Sequence, residues 1–484
     1  MIAIYDDRIP VPDEARDFVG IDRFSQLVFR KRTLEVHAQE IFRAAGIERV
    51  VRIDSDRTAS EVATESLRGA PGSRVIYLPS CLVFQDRDAA MICLRKFAYS
   101  DEHFALSPDP ASSTPPLLAM SARAAAAMLV NHDHRQWRAQ FMSGQVPFHW
   151  AENKARLVDL TGRGRLIEFM SATFDARSFN RISQDDMLVT KRSNDVEKMR
   201  REYRFYEQLD GPLRLFFLQP LSFREGPDWA EYQTERLLIP DVAVQWIHRS
   251  FDGDAFATLL GRLSAFLVMR PVRTPPPREA AEAVEMLYLR KVEQRLARLD
   301  ALPQAAAIGP ILARCPGVGS TQALLVRYRA LWSRLGGGRR GARQAISHGD
   351  LCFSNILYHR QSKQLKFIDP RGAITPEDLW LDEYYDVAKL SHSVLGLYDL
   401  INHDLVELRL DRDLGLDLSL EADDVAALQQ AFRDQISGLG FDLRLVRLYE
   451  ASLFLSMVPL HADVPKKVVA FLVTASRIMD ELKG

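Results

Sequence analysis

Apolar and polar positions follow two rhythms along the first third of the chain. Residues 1–5 form an apolar run of strand length, residues 48–54 (ERVVRID) fit a second strand, and residues 72–84 contain another. Between the first two runs, apolar residues recur at helical spacing before Gly46, a helix terminator: Leu34, Ala38, Ile41 and Phe42. This alternation predicts an α/β domain over residues 1–175.

The pattern changes after this domain. Residues 165–174 (RLIEFMSATF) start a segment that we predict to be rich in strands, with further strands at 187–191, 212–221 and 230–240. A helix from Asn194 to Leu209 interrupts it. Residues 241–484 are mainly helical in pattern. We therefore predict an α/β domain followed by an α+β part, with a small lobe over 176–240 and a large lobe over 241–484.

Composition excludes several classes of protein. The 484 residues carry a formal net charge of −1, which does not favour binding to nucleic acid or to an anionic membrane. The four cysteines form no CxxC pair, so we expect neither disulfides nor a zinc site. The N-terminus lacks a signal-peptide pattern, and no apolar run reaches the length of a membrane span. These features predict a cytoplasmic protein without membrane insertion, and we expect Arg339 and Arg340 to lie in a solvated loop.

The chemistry is concentrated in residues 346–372, ISHGDLCFSNILYHRQSKQLKFIDPRG. Asp350 precedes Asn355 by five residues, and Asp369 follows fourteen residues later. Asp369 ends the apolar run LKFI, a predicted strand, and precedes a turn that contains Gly372. Phosphoryl transfer from a nucleotide needs these groups: a carboxylate to accept the hydroxyl proton, and an amide oxygen with a second carboxylate to hold Mg²⁺.

These motifs resemble the catalytic and metal-binding loops of the aminoglycoside phosphotransferase and choline kinase family, small-molecule relatives of the protein kinases. The resemblance covers about 300 residues, from 182 to the C-terminus, and implies a bilobal kinase-like fold that uses ATP and Mg²⁺. It implies Asp350 as the catalytic residue and Asn355 and Asp369 as metal ligands. His348 and Asp386 would support the catalytic loop.

The same resemblance implies a lysine on the third strand of the small lobe, held by a glutamate of the next helix. Lys191 and Glu202 stand at those positions, although Glu197 lies on the same predicted helix. The family's glycine-rich phosphate loop is absent, and only Ser178, Ser183 and backbone amides could replace it. Residues 235–240 are the candidate hinge for adenine.

The first domain faintly resembles the nucleotidyltransferase fold of the GT-A type. Its first strand, however, leads into Asp6 and Asp7, with no glycine before Gly20, and the expected metal carboxylate is replaced by Ser80 or Cys81. We interpret residues 1–175 as a degenerate, non-catalytic nucleotidyltransferase-like domain. An unrelated α/β domain is the alternative.

We therefore predict an ATP- and Mg²⁺-dependent kinase acting on a hydroxyl of a sugar, polyol or amino alcohol. In its domain order, the chain resembles proteins of bacterial capsular polysaccharide biosynthesis. This resemblance implies polysaccharide-assembly partners. Two alternatives remain: a pseudokinase scaffold without turnover, and a bifunctional kinase and nucleotidyltransferase. An aromatic cage for a quaternary ammonium could come from Trp380, Tyr384, Tyr385 and Tyr398.

Overall fold

The computed structural model describes residues 1–13, 16, 20–29, 32–66, 73–108, 114–130, 148–171, 180–184, 187–237, 239–339, 341–410, 416–420 and 425–483. The chain divides into two compact units, Met1–Phe174 and Asp175–Gly484. No helix within the described ranges is long and apolar enough to cross a membrane.

Unit 1 is a mixed α/β unit. Its strands are β1 (Ile2–Asp6), β2 (Val28–Phe29), β3 (Arg32–Thr33), β4 (Arg49–Ile53), β5 (Arg74–Pro79), β6 (Leu82–Phe84), β7 (Phe104–Leu106), β8 (Leu117–Ser121), β9 (His149–Trp150) and β10 (Leu157–Asp159). Its helices are α1 (Leu34–Ala44), α2 (Asp56–Glu61), α3 (Arg87–Ala98), α4 (Ala122–Val130) and α5 (Arg163–Ser171).

Six of these strands form one sheet in the order β4-β1-β5-β8-β7-β9. Strand β1 pairs in parallel with β4 and β5, whereas β8 is antiparallel to β5 and β7. Alternate residues of β1 and β5, such as Ile4 and Tyr77, pack in one apolar core with residues of α4. The predicted α/β alternation is therefore present in unit 1.

The strand-rich character predicted from residue 165 onwards is wrong at its start. Helix α5 covers Arg163–Ser171. Its buried residues Leu166, Phe169 and Met170 recur at helical spacing, and Phe169 stacks on Phe29 with ring centroids 4.3 Å apart. Residues 172–174 of that prediction lie outside the described residues.

Unit 2 begins with a four-stranded antiparallel sheet. Strands β11 (Asn180–Gln184), β12 (Leu188–Ser193), β13 (Pro220–Glu225) and β14 (Ala230–Glu235) are arranged in the order β11-β12-β14-β13. Helix α6 (Val196–Gln208) packs on this sheet through Met199, which contacts Ala230 and Tyr232 in a small apolar core.

The strand predicted over residues 212–221 is largely wrong. Residues Gly211–Phe216 form a 3₁₀ helix with a proline in its first turn, and β13 begins only at Pro220. Proline is favourable at the start of a helix because its fixed φ suits that position and its missing N–H is not needed there. Leu213 is buried while Leu215 is exposed, so the apolar run does not lie along one buried strand.

The remainder of unit 2 is mostly helical. Its helices are α7 (Val242–Ile247), α8 (Gly253–Met269), α9 (Pro277–Glu285), α10 (Lys291–Asp300), α11 (Ala305–Leu312), α12 (Thr321–Arg334), α13 (Tyr385–Val394), α14 (Tyr398–Asn402), α15 (Ala426–Gly438), α16 (Leu443–Met457) and α17 (Pro465–Glu481). Its short strands are β15 (Val272–Arg273), β16 (Gln344–Ile346), β17 (Ile356–Tyr358), β18 (Leu365–Phe367), β19 (Trp380–Asp382), β20 (Val406–Leu410) and β21 (Leu416–Leu420).

Helix α16 is the central helix of this part. Twelve consecutive residues, Leu445 to Ser456, are buried, so the helix is covered on all its faces. Its two buried charged residues are paired: Arg447 Nη1 lies 2.7 Å from Glu450 Oε1, and Arg447 Nη2 lies 2.7 Å from Glu481 Oε2. Helices α13 and α17 pack against it, and α13 carries residues of the candidate site.

Candidate active site

Lys191 lies on β12 and faces helix α6. Its Nζ is 2.7 Å from Glu202 Oε2 and 2.9 Å from Asp369 Oδ1, and the Tyr232 hydroxyl donates a hydrogen bond to the same Glu202 oxygen at 3.1 Å. Burial alone would lower the pKa of Lys191, but the carboxylates of Asp369 and Glu202 raise it above its ordinary value. The lysine is therefore a buried cation that joins two carboxylates.

The alternative partner, Glu197, does not reach Lys191. Its carboxylate pairs with Arg200 at 3.0 Å on the surface of the same helix. Lys191 and Glu202 are brought together because β12 and α6 are consecutive elements and Glu202 belongs to the buried face of the helix.

The loop after β16 carries His348, Gly349 and Asp350. Asp386, in the first turn of α13, accepts hydrogen bonds from the backbone N–H groups of His348 and Gly349, each at 2.9 Å. Arg270, at the end of α8, pairs with the same carboxylate at 3.1 Å, and both side chains are buried. Asp386 thus holds the loop through its backbone.

His348 supports the loop from inside. Its Nδ1 accepts a hydrogen bond from the Asp350 N–H at 3.1 Å, which leaves Nε2–H to donate to the Ile368 carbonyl at 2.9 Å. Burial lowers the pKa of His348, although Asp386 and Asp350 oppose the shift, so the imidazole is neutral near pH 7. Its ring stacks on Phe217, with centroids 5.7 Å apart.

Asn355 and Asp369 lie at the same end of a β-hairpin. Strand β17 follows Asn355, β18 ends two residues before Asp369, and Ile356 pairs with Phe367 across the two strands. The Ile368 N–H donates to the Asn355 carbonyl at 3.0 Å, and the Asn355 side-chain amide donates to the Asp350 carbonyl at 2.8 Å. The hairpin therefore connects the Asp350 loop to the Asp369 loop.

Glycine is required where the Asp369 loop turns. Asp369 has a φ of +54° and Gly372 a φ of +89°. A Cβ on Gly372 would lie 2.8 Å from the carbonyl carbon of Arg201 and 2.9 Å from the Glu202 nitrogen. The Ala373 N–H donates to the Arg201 carbonyl at 2.9 Å, so the loop runs directly against helix α6.

Lys389 is a site residue that the sequence analysis missed. It lies on α13, and its Nζ is 2.7 Å from Asp350 Oδ1. It follows Asp386 by three residues, which places both side chains on one face of the helix. A lysine among buried neighbours such as Val387, Ala388 and Leu390 was a usable signal. Arg270 had no such signal, because it is 116 residues from Asp386 in the sequence.

The structure also bears on the predicted loop at Arg339 and Arg340, the phosphate-loop serines and the hinge. Arg339 does not lie in a solvated loop: its Nη2 is 2.6 Å from Asp382 Oδ2, and its guanidinium lies 4.2 Å from the ring centroid of Tyr384. Arg340, Ser178 and the side chain of Ser183 lie outside the described residues, as does Leu238 of the hinge.

The aromatic residues proposed as a cage are engaged by the protein itself. The guanidinium of Arg273 lies 4.5 Å from the ring centroid of Trp380. The guanidinium of Arg339 lies over the ring of Tyr384 in the same way, at 4.2 Å. Tyr385 is buried, and Tyr398 stacks on His392 with centroids 4.3 Å apart. The protein's own arginines thus occupy the cation positions on two of the four rings.

In unit 1, the carboxylates at the end of β1 are also engaged. Asp6 pairs with Arg8 and accepts a hydrogen bond from the Tyr77 hydroxyl, both at 2.7 Å, and Asp7 pairs with Arg52 at 2.8 Å. A cavity of about 320 Å³ lies beside this strand, lined by Tyr5, Phe29, Arg32, Leu34, His37, Ala38, Glu40, Ile41, Leu78, Leu82, Val83, Phe84, Gln85 and Arg87.

The described residues contain no group of three or more His, Cys, Asp or Glu side chains placed to hold a metal ion. The donor set predicted for Mg²⁺ from the sequence is smaller: the Asp369 carboxylate, whose side chain is 45% exposed, and the side-chain oxygen of Asn355. Oxygen ligands of these two kinds fit Mg²⁺, which keeps several waters and is completed by substrate phosphates.

No family model matches the sequence, and neither does any curated protein. Among solved structures, the chain is similar to a thermostable mutant of aminoglycoside phosphotransferase APH(4)-Ia in its apo form, with 10% identity and a TM-score of 0.34 over 65% of this chain and 98% of that chain. A variant of that mutant in a ternary complex with AMP-PNP and hygromycin B has 12% identity and a TM-score of 0.35, with 65% and 98% covered.

A third similar structure is an aminoglycoside-3'-phosphotransferase of type VIII. It is 13% identical, with a TM-score of 0.31 over 63% of this chain and 97% of that chain. Because these TM-scores lie below 0.5, the similarities carry no inference about function.

We expect Asp386→Ala to lower the free energy of unfolding of unit 2 by about 3–5 kcal/mol, because it leaves the buried Arg270 without its partner and two loop N–H groups unpaired. Urea unfolding followed by circular dichroism measures the change. Glu377→Ala breaks an exposed pair with Arg273 and should leave the midpoint unchanged. Equal effects of the two substitutions would contradict the supporting role of Asp386.

Proposed function

We propose that the chain is an ATP- and Mg²⁺-dependent phosphotransferase that transfers a phosphoryl group to a hydroxyl of a small molecule, a sugar, polyol or amino alcohol. The observation that carries the proposal is the position of Lys191, whose ammonium contacts both Glu202 of helix α6 and Asp369 of the loop after β18. A lysine held by a glutamate next to an aspartate that can take a metal ion is the arrangement with which protein kinases transfer a phosphoryl group from ATP, and this likeness supports the proposal.

Asp350 is the proposed proton acceptor. In the reaction, the acceptor oxygen forms a bond to the γ-phosphorus, the bond from that phosphorus to the β–γ bridging oxygen breaks, and ADP leaves. The hydroxyl proton passes to the Asp350 carboxylate, whose side chain is 41% exposed and so accessible to an acceptor. His348 and Asp386 keep the loop in place, so that the carboxylate is positioned before the substrate binds.

Lys191 is proposed to contact the phosphates of ATP, with Glu202 holding its ammonium in position. Asn355 and Asp369 are proposed to hold Mg²⁺, which would offset the negative charge of the phosphates. Catalysis of this kind depends on positioning and on charge compensation rather than on a covalent intermediate.

The proposed acceptor class and pathway rest on a resemblance in domain order. The order of a nucleotidyltransferase-like domain and a choline-kinase-like domain resembles that in proteins of surface polysaccharide biosynthesis, which supports a sugar, polyol or amino-alcohol acceptor and assembly partners. The engaged carboxylates Asp6 and Asp7 of unit 1 do not favour a second, nucleotidyltransferase site there. Residues 1–175 are accordingly proposed to be non-catalytic.

Asp350→Asn is expected to lower kcat for acceptor phosphorylation by about 100-fold or more, because the amide cannot take the hydroxyl proton. Binding of ATP with Mg²⁺ should persist, since Asp350 is not among the proposed ligands of the nucleotide. ADP release coupled to NADH oxidation measures turnover, and calorimetry measures binding. The identical change at the exposed Asp434 of α15 is the control. Unchanged turnover in Asp350→Asn would contradict the assignment of Asp350 as proton acceptor. No acceptor-dependent ADP release in the wild type would favour the pseudokinase alternative.

Glu202→Gln is expected to weaken the binding of AMP-PNP with Mg²⁺ by roughly ten- to a hundredfold. The substitution removes a charge-assisted hydrogen bond to Lys191, worth about 1.5–3 kcal/mol. Isothermal titration calorimetry measures the dissociation constant. Glu197→Gln changes a carboxylate of the same helix that pairs with Arg200 on the surface, and it should have no effect. Similar losses in both variants would contradict the assignment of Glu202.

A further inference from the structure

Helix α13 places a second, partly buried lysine at the candidate site. Lys389 Nζ lies 2.7 Å from Asp350 Oδ1, and the lysine side chain is 16% exposed compared with 41% for the aspartate. Asp386, one turn earlier on the helix, holds the backbone of the same loop. One helix face therefore fixes both the backbone of the loop and the carboxylate that it carries.

The ammonium of Lys389 keeps its charge at neutral pH. Burial acts to lower the pKa of Lys389, but Asp350, and to a smaller extent Tyr385 and Cys352, raise it above its ordinary value. The negative charge of Asp350 is thus offset from the side of α13 before any substrate binds.

The next turn of α13 presents an uncharged polar group. His392 is 1% exposed, and within the described part of the chain neither of its ring nitrogens has a hydrogen-bond partner. Burial lowers the pKa of His392 well below 6.5, and the charge of Lys389 lowers it further, so the imidazole is neutral. The His392 ring packs against Tyr398 and Phe454, with centroids 4.3 and 4.2 Å away, so this turn of the helix adds no second charge beside Lys389.

We propose that Lys389 positions Asp350 and selects an uncharged, polyhydroxylated acceptor, a sugar or polyol, against an amino alcohol. The inference rests on the proposed function and narrows its acceptor class. A cationic acceptor would need a carboxylate to offset its charge, but the carboxylate that faces the acceptor hydroxyl is already paired with Lys389. The acceptor's ammonium would also be repelled by the ammonium of Lys389, across a partly buried site where charges are weakly screened.

The arginines that cover Trp380 and Tyr384 also favour an uncharged acceptor. In a site for a quaternary ammonium, aromatic faces have to be open to the ligand. Here Arg273 and Arg339, each paired with a carboxylate of the protein, occupy two of them, so neither ring face is open to a ligand cation.

The experiment compares matched acceptors with and without an amino group. ADP release from ATP with Mg²⁺ is measured with glycerol against 3-amino-1,2-propanediol, with glucose against glucosamine, with choline, and with a wider panel of sugars and polyols. Lys389→Met removes the charge, Lys389→Arg keeps it, and Lys466→Met breaks a half-exposed Lys–Asp pair of 2.8 Å elsewhere in the same unit as a control.

The wild type should favour the uncharged member of each pair in kcat/KM. In Lys389→Met, kcat with the uncharged acceptor should fall, and the preference should shrink by about tenfold, equivalent to about 1.4 kcal/mol. The affinity for AMP-PNP should stay the same, because the ion pair of Lys389 is with Asp350, which is not a proposed ligand of the nucleotide. Lys389→Arg should restore the preference, and Lys466→Met should leave kcat and preference unchanged.

A wild type that prefers the amines, or a preference that survives in Lys389→Met, would overturn this inference and leave the proposed phosphotransferase standing. Equal changes in Lys389→Met and Lys466→Met would overturn it as well, because the effect would then be general loss of structure. If no acceptor supports ADP release, the proposed function fails, and the inference fails with it.

Discussion

The rest of the candidate site depends on one interaction, the pairing of the Lys191 ammonium with two carboxylates. A buried cation is costly unless carboxylates compensate it, and Lys191 has two, Glu202 and Asp369. One comes from helix α6 and the other from the loop after β18, so the requirement to pair one charge brings the four-stranded sheet and the hairpin of unit 2 together. Gly372 makes this approach possible, because a side chain there would collide with the backbone of α6.

The part of the site that could be predicted from sequence is the part with local causes. Asp350, Asn355 and Asp369 fall within one loop and one hairpin, and antiparallel strands bring the two ends of such a segment together. Lys191 and Glu202 were predictable because a strand and the following helix pack against each other. The choice between Glu202 and Glu197 needed the structure, which shows Glu202 on the buried helix face.

The contacts that could not be predicted join residues far apart in the sequence. Arg270 reaches Asp386 across 116 positions, and nothing around Arg270 signals that its charge is buried. Arg339 looked like a loop residue because its neighbours are glycines and arginines, yet Asp382 and Tyr384 hold its guanidinium. Helix α5 was mistaken for strand because a short apolar run fits either period, and only its burial pattern distinguishes them.

Lys191 and Lys389 each pair with carboxylates in a different part of the candidate site. Lys191, Lys198 and Lys389 contribute a formal +3, and Glu202, Asp350 and Asp369 contribute −3, so these six paired side chains sum to zero. These pairs have no excess positive charge with which to attract the anionic phosphates of a nucleotide. A divalent cation at Asp369 and Asn355 would make the nucleotide side positive, whereas the pair of Lys389 with Asp350 would stay neutral on the acceptor side. Under the proposed function, we therefore expect nucleotide binding to depend on the metal, and acceptor binding to depend on hydroxyl groups rather than on charge.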